Sequence, residues 1–201
     1  MSGVKSRREL YSAATKAALL EEATTLFAEH GYAGTSLEQV ASASQVTRGA
    51  VYHHFAGKQA LFEAVLDAQE KRAMEEVATA AGGVADPWEA AILALDAFLD
   101  KCCDPTYGRL VWQEGPTALG WHRWRECEQK YAYGLVEGFV HALIEAGYLR
   151  DEAVESTVKF SFWMLGGAGV TLAETPEADK PRVRDEFARL MRRTLRGLRS
   201  S

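Results

Sequence analysis

The strongest constraint on the fold is the helical spacing of apolar residues along the chain, which lacks strand-like alternation. A first apolar stripe stops at Gly31 and consists of Leu19, Leu20, Ala23, Leu26 and Phe27. The chain contains no asparagine, so the Asn-Gly turns typical of hairpins are absent, and no proline precedes Pro87. These features predict an all-α fold.

About nine helices are predicted, each bounded by a capping residue, a glycine or a proline. They cover residues 10–30, 37–44, 47–55, 58–81, 87–102, 105–114, 121–146, 151–174 and 181–199. We divide them into an N-terminal three-helix unit at 1–57 and a larger helical unit at 58–201.

Composition narrows the function classes. The 201 residues are 47% hydrophobic, enough to bury a core, and the net charge of −5 excludes a polybasic nucleic-acid tail. Cys102, Cys103 and Cys127 include no C-x-x-C pair, which excludes a disulfide framework and a zinc finger of usual spacing. A reducing cytoplasm is therefore the expected location.

No targeting or membrane segment is predicted. The basic residues near Met1 are not followed by the apolar core of a signal peptide. The apolar run between Lys159 and Glu174 is shorter than the roughly 18 residues that span a bilayer.

Residues 36–55 predict two short helices joined by a tight turn. Gln39 follows Ser36 by three positions, the capping-box spacing that opens a helix, and Thr47 is placed to cap the next one. In that next helix Val51 and Phe55 share an inward face, so its polar residues point outward. A helix-turn-helix of this kind fits the DNA major groove, which is about 12 Å wide.

The outward residues suggest separate roles on DNA. Arg48 can donate two parallel hydrogen bonds to a guanine, and the small Gly49 and Ala50 let the helix approach, with Ala50 near a thymine methyl. Thr47 lies on the same ridge. Hydroxyl, imidazole or ammonium donors for phosphate are offered by Thr35, Ser36, Tyr52, His53 and Lys58.

Each of these residues also has a structural interpretation. Tyr52 and Phe55 can both be core aromatics, and His53 and His54 can be an ordinary solvated pair. The sequence alone leaves both interpretations open.

The same residues resemble the TetR family of bacterial transcriptional repressors over about residues 10–66. The most specific part is Tyr52-His53-His54-Phe55 followed by Lys58, and the other matching segments are Gly31-Tyr32, Thr35-Ser36, Val40-Ala41, Thr47 to Val51 and Leu61-Phe62. The resemblance implies a helical dimer with an effector pocket in the remaining residues. A two-fold dimer is expected to bind a near-palindromic double-stranded operator.

Gln45 departs from the family pattern, which commonly has glycine at this turn position. A non-glycine residue at positive φ costs about 1–2 kcal/mol. Either the turn differs here, or Gln45 adopts the strained backbone and contacts phosphate.

Aromatic residues concentrate between Tyr107 and Phe139, mixed with a few polar side chains, as in small-molecule pockets. We expect the ligand-binding residues to be Trp112, Gln113, Trp121 and His122. The alternative is plain core, because Trp124, Tyr131, Leu135 and Phe139 lie at helical spacing.

The last two helices are expected at the dimer interface, and the family resemblance implies the same. Helix 151–174 is apolar nearly all round, and its small residues from Gly166 to Gly169 allow close approach by another helix. The last helix is expected to turn its arginines mostly to solvent and the following residues inward: Val183, Phe187, Leu190, Met191, Leu195 and Leu198.

No catalytic residue, metal site or cofactor is predicted. His122, Glu126 and Cys127 lack a fourth ligand, and there is no nucleophile signature, P-loop or dinucleotide motif. The expected function is a non-enzymatic, ligand-responsive repressor, released from its operator by a small apolar or aromatic effector. The alternatives are a DNA-binding regulator whose larger unit recognises a protein, and a helical enzyme with a vestigial DNA motif. A redox role of Cys102-Cys103 stays open.

Overall fold

The computed structural model describes the backbone of residues 7–199 and the side chains of residues 11–199. This part of the chain contains nine helices and no strand, which confirms the predicted all-α class. An isolated bridge joins Leu149 and Arg199. The helices are α1 Arg7–Gly34, α2 Leu37–Ala43, α3 Arg48–His54, α4 Lys58–Ala81, α5 Pro87–Cys102, α6 105–119, α7 121–145, α8 Val154–Glu174 and α9 Lys180–Gly197.

Helices α6 and α7 each contain a π-helical stretch. It covers Gly108–Glu114 in α6 and Gln129–Tyr133 in α7, with α-helical turns on both sides. Helix α6 therefore continues past Glu114, where the sequence predicted its end, and reaches Leu119. Such stretches insert an extra residue into a helical turn and are frequent at functional sites.

The described residues form two compact units that divide between Asp67 and Ala68, inside α4. The sequence placed this boundary ten residues earlier, after Gly57. The difference has a packing cause, because Leu61, Phe62 and Val65 of α4 are fully buried in the first unit. The Phe62 ring meets Phe27 of α1 edge-on, with 5.0 Å between the ring centroids.

In the first unit, α1 bends at Gly31, which has φ 72°, and continues to Gly34. Glycine tolerates this left-handed backbone without steric cost. The core face of α1 is carried by Leu19, Ala23 and Phe27, all fully buried, whereas Leu20 is half-buried. Leu26 is half-buried as well. The predicted stripe was therefore correct in period and included two residues too many.

In the second unit, α6 packs closely against α8. A Cβ atom on Gly169 would overlap the indole ring of Trp112, so only glycine allows this approach. The small residues of α8 were expected to face a partner subunit, but Gly169 faces a tryptophan of its own chain.

Helix α9 buries Ala188 and Met191, while Leu190 is 58% exposed. Within a single chain the expected inward stripe thus does not cover Leu190, nor Leu198, which is exposed as well; their position in a dimer stays a prediction. The last arginines are not all solvated either, because Arg184 and Arg192 contact Asp96 of α5.

Candidate nucleic-acid interface and ligand cavity

Helix α2 begins at the capping box that the sequence predicted. The Ser36 N–H donates to Oε1 of Gln39 at 2.7 Å, and the Gln39 N–H donates to Oγ of Ser36 at 3.2 Å. Leu37, Val40 and Ala41 are buried beneath it. The cap uses Ser36 Oγ as an acceptor, so its hydroxyl hydrogen stays available for another acceptor.

The turn between α2 and α3 holds Gln45 at φ 55°. Its N–H donates to the Ser42 carbonyl at 3.1 Å, and the Val46 N–H donates to the Ala41 carbonyl at 2.9 Å. Of the two arrangements that the sequence left open, the strained backbone is the one observed. The Gln45 side chain is exposed, and its contact with phosphate stays a prediction.

Helix α3 is anchored on one side only. Val51 is fully buried, Phe55 is buried just after the helix, and Thr47 caps it by accepting a hydrogen bond from the Ala50 N–H at 3.2 Å. Tyr52 is 47% exposed, so its interpretation as a core aromatic is wrong. The outward residues, which we call the α3 ridge, are Thr47, Arg48, Gly49, Ala50, Tyr52 and His53; Ala50 is half-buried and the others are exposed.

Arg48 has two neighbours on this surface. Its Nη1 lies 2.8 Å from Oε1 of Glu38 on α2, and its Nη2 donates to the Tyr52 hydroxyl at 3.2 Å. The hydrogen bond to Tyr52, followed by the charge of Glu38, raises the pKa of Arg48. The guanidinium is therefore charged, exposed and held over the ridge, where it can reach a base edge once Glu38 releases it.

The two histidines of the motif differ in environment. His53 is exposed, whereas His54 is half-buried with 5.2 Å between the two ring centroids. Burial, and then the charges of His53 and Lys16, lower the pKa of His54. His54 therefore favours its neutral form, and His53 is the accessible donor.

Two residues expected at phosphates form hydrogen bonds inside the first unit. Thr35 is 2% exposed, and its hydroxyl lies 2.9 Å from the Gly31 carbonyl and 3.1 Å from the Leu26 carbonyl. The Lys58 ammonium donates to the carbonyls of Tyr32, at 2.7 Å, and Thr35, at 2.9 Å. These carbonyls close the end of α1, a position that favours a cation, so both side chains stabilise the fold.

The second unit encloses a cavity of about 270 Å³. Helices α4 to α8 all contribute to its wall, which is mostly aromatic and aliphatic. Trp121 and Trp163 are stacked with 6.2 Å between ring centroids and are partly exposed, so they form its solvent-side rim. The aromatic lining residues are Phe98, Tyr107, Trp112, Trp121, Trp124, Phe139, Phe162 and Trp163.

Two of the four expected ligand-binding residues line this cavity. Trp112 and Trp121 do, whereas Gln113 and His122 are exposed and absent from the wall. The Gln113 amide donates instead to the Ala173 carbonyl. Gln113 and His122 each follow a lining tryptophan directly in the sequence. Because adjacent residues on a helix point about 100° apart, both side chains point away from the cavity.

Two buried carboxyl groups lie in the cavity wall. Glu70 of α4 is fully buried and accepts a hydrogen bond from the Tyr107 hydroxyl at 2.7 Å. Glu128 of α7 is 4% exposed. Burial, reinforced by the charge of Glu70, raises the pKa of Glu128 well above its ordinary value. Burial and the same charge also raise the pKa of Tyr107.

Sequence reasoning missed both acids, although a signal was present. Glu70 lies one helical turn after Leu66 and one before Met74, and Glu128 lies one turn after Trp124. An acid in phase with an apolar stripe must enter the interior, where charged groups are rarely left unpaired. The position of each acid on an apolar stripe therefore indicated its burial better than its residue type did.

Neither the cysteines nor the metal-ligating side chains indicate a further functional site among the described residues. Burial raises the pKa of Cys102 strongly and that of the half-buried Cys103, which disfavours the reactive thiolate of both. No group of three or more metal-ligating side chains occurs in the described part of the chain. None of the helices between residues 7 and 199 has the length and apolarity that a bilayer span requires.

Known proteins match both parts of this architecture. The family model described as "Bacterial regulatory proteins, tetR family" matches residues 19–65. A second, described as "Tetracyclin repressor-like, C-terminal domain", matches residues 88–198, more than half of the chain. The chain belongs to the TetR family. It is a TetR-family transcriptional regulator with a DNA-binding helix-turn-helix, and the α3 ridge lies in the matched segment.

Individual proteins with similar sequences are consistent with this family. The Transposon Tn10 TetC protein of Escherichia coli is 28% identical over 136 residues, 68% of each chain. A helix-turn-helix transcriptional repressor of Mycobacterium tuberculosis is 51% identical over 51 residues, 25% of this chain and 27% of that protein.

Solved structures share the fold. A TetR-family regulator from Pectobacterium atrosepticum has a TM-score of 0.83 at 24% identity, covering 98% of this chain and 99% of that one. RolR in complex with resorcinol has a TM-score of 0.68 at 16% identity, covering 94% of each chain.

Proposed function

We propose that this regulator binds a near-palindromic operator as a homodimer and is released by a small apolar or aromatic effector that enters the cavity. The α3 ridge is the observation that carries the DNA-binding half of the proposal. A charged guanidinium, two small residues and a hydroxyl lie together on one exposed helix face, opposite the fully buried Val51. This is the arrangement with which a helix reads bases in the major groove.

The test is selection of bound sequences from random DNA, with the wild type and with Arg48→Ala. We expect an inverted repeat for the wild type, and loss of preference at one symmetric position for the variant, with about 10- to 100-fold weaker binding. Arg182→Ala is the matched control, because the Arg182 side chain is also 60% exposed and paired with acids, but lies on α9. An unchanged base preference in Arg48→Ala would contradict the assignment.

Exposed apolar side chains on the last two helices support the homodimer. Phe160 and Trp163 of α8 are 52% and 42% exposed, and Leu190 of α9 is 58% exposed. A two-fold axis lets such a patch cover itself. We expect Leu190→Glu to weaken dimerisation in sedimentation experiments, whereas Leu93→Glu, at a comparably exposed leucine of α5, leaves it unchanged.

The cavity supports a small-molecule effector over a protein partner, because a closed core would leave such a molecule no room. The RolR neighbour was crystallised with resorcinol, a small aromatic ligand. Helix α4 is the proposed connection: Leu61 and Phe62 belong to the core of the first unit, and Glu70, Met74 and Val77 belong to the cavity wall.

An effector must weaken operator binding as much as the operator weakens effector binding. Titrating the operator complex with aromatic and aliphatic compounds should find ligands that reduce operator affinity, by about 5- to 150-fold for a typical coupling. A compound whose affinity is equal with and without operator is not the effector.

A further inference from the structure

The cavity is apolar except at four lining residues. Glu70, Tyr107, Arg125 and Glu128 are its titratable lining residues, and most of the others are aromatic or aliphatic. A carboxyl group in such surroundings is costly to ionise unless a donor and an opposite charge approach it.

In the part of the chain that the structure describes, one oxygen of Glu128 lacks such a donor. Its side chain is 4% exposed, and no residue that the structure describes donates a hydrogen bond to its Oε1 atom. Arg125 lies one turn earlier on α7 and also lines the cavity, yet it forms no ion pair with Glu128 among the described contacts. The acid is thus a buried acceptor in the wall of an otherwise apolar cavity.

We propose that the effector is a lipophilic amine whose ammonium group donates to the Glu128 carboxylate and whose apolar body lies against the aromatic wall. This rests on the proposed function, because the cavity is taken as the effector site. An ammonium supplies both the donor and the positive charge that Glu128 lacks, and the nearby Glu70 carboxyl adds to the attraction. The faces of Trp112 and Trp124 attract a cation as well.

Arg125 would favour the opposite ligand, an organic acid. The two groups differ in depth, since Arg125 is half-buried and can keep its charge partly solvated, whereas Glu128 and Glu70 are buried. Two deep acids against one shallower base make the inner part of the cavity selective for cations.

Three compounds of one shape separate these alternatives: phenylbutylamine, phenylbutanol and phenylbutyrate. Their affinities for the full chain without DNA are measured by isothermal titration calorimetry at neutral pH. We expect the amine to bind about 10- to 100-fold more tightly than the alcohol, and the acid to bind most weakly. Equal affinities of amine and alcohol, or a preference for the acid, would overturn the inference.

Glu128→Gln tests the assigned residue, because glutamine keeps the shape and removes the charge. The preference for amine over alcohol should vanish in this variant, while affinity for the alcohol persists and shows that the cavity is intact. Glu137→Gln, at an exposed glutamate on the same helix, should keep the full preference. An undiminished preference in Glu128→Gln would overturn the role of Glu128.

The inference and the proposed function fail in different ways. If the amine binds as expected but leaves operator affinity unchanged, the cation preference of the cavity is confirmed and the proposed effector role is wrong. If only neutral compounds bind and release the operator, the proposed effector role is confirmed and the preference for an amine is wrong. If none of the three compounds binds at millimolar concentration, the amine inference is wrong, and the operator titration described above still decides whether the cavity takes an effector.

Discussion

Arg48 on α3 and Glu38 on α2 form an ion pair across the helix-turn-helix, with 2.8 Å between Nη1 and Oε1. Glu38 thus binds the guanidinium group of Arg48, which we assign to a guanine base of the operator. The negative charge of Glu38 also lies beside the surface that must approach the DNA phosphates. Operator binding must therefore break this pair or rearrange it.

Removing the charge of Glu38 should strengthen operator binding. We expect Glu38→Gln to raise affinity about threefold, because Arg48 is released and the repulsion of DNA phosphates falls. Fluorescence anisotropy with labelled operator measures the effect, with Glu21→Gln on the exposed side of α1 as the control. Weaker binding would mean instead that Glu38 holds Arg48 in the orientation that reads the base.

Lys58 should act through the fold and not through phosphate. Lys58→Met removes both hydrogen bonds to the end of α1, so we expect the free energy of unfolding to fall by about 1–3 kcal/mol. If a wild-type dimer neutralises about eight phosphates, the slope of log affinity against log salt is about −7, and the variant should keep it. A slope smaller by about two in magnitude would show one phosphate contact per subunit.

Glu128 should make the protein less stable as pH rises. Its pKa is higher in the folded than in the unfolded chain, so folding takes up a proton between the ordinary glutamate value and the folded value. Stability is greatest below that window and falls as pH rises through it. In urea unfolding between pH 4 and 8, Glu128→Gln should lose this component, whereas Glu137→Gln should keep it.

The ionisable groups that face Glu128 are Glu70, Cys102, Tyr107 and Arg125, and the variant leaves all four in place. A Glu128→Gln profile parallel to that of the wild type would mean that Glu128 is ionised in the folded chain.

Two glycines of α8 should respond in opposite ways to alanine. Gly169→Ala forces the Trp112 ring to move, so we expect a loss of about 1–3 kcal/mol and weaker binding of cavity ligands. Gly167→Ala meets no atom within 4 Å and removes glycine from a helix interior, so stability should rise by up to about 1 kcal/mol. Thermal unfolding of both variants decides this, and equal effects would contradict the packing described for Trp112.

Local signals made the helix-turn-helix predictable from sequence. Ser36 with Gln39 and Thr47 with Ala50 are caps whose partners lie three residues away, so spacing alone specifies their hydrogen bonds. The inward position of Val51 likewise favoured an outward Tyr52, and the structure decides between the two interpretations of that residue.

Residues whose role depends on distant parts of the chain were not predictable in this way. The Lys58 ammonium binds the Tyr32 carbonyl of α1, 26 residues away, and Gln113 binds the Ala173 carbonyl, 60 residues away. Neither sequence spacing nor residue type reveals such partners. For Gln113 and His122, a side chain next to a lining tryptophan was mistaken for part of the same wall.

The π-helical stretches give this cavity an unusual route to diversification. Losing one residue from Gly108–Glu114 would let this stretch return to regular α geometry, because a π-helical turn holds more residues than an α-helical turn. Side chains inside the stretch would then change direction, and Trp112 of the cavity wall is one of them, whereas the turn that begins at Gly115 could keep its packing against Trp124. A single codon deletion could thus reshape the cavity wall at Trp112 while the rest of the helix keeps its place, a change that no single substitution in the lining produces.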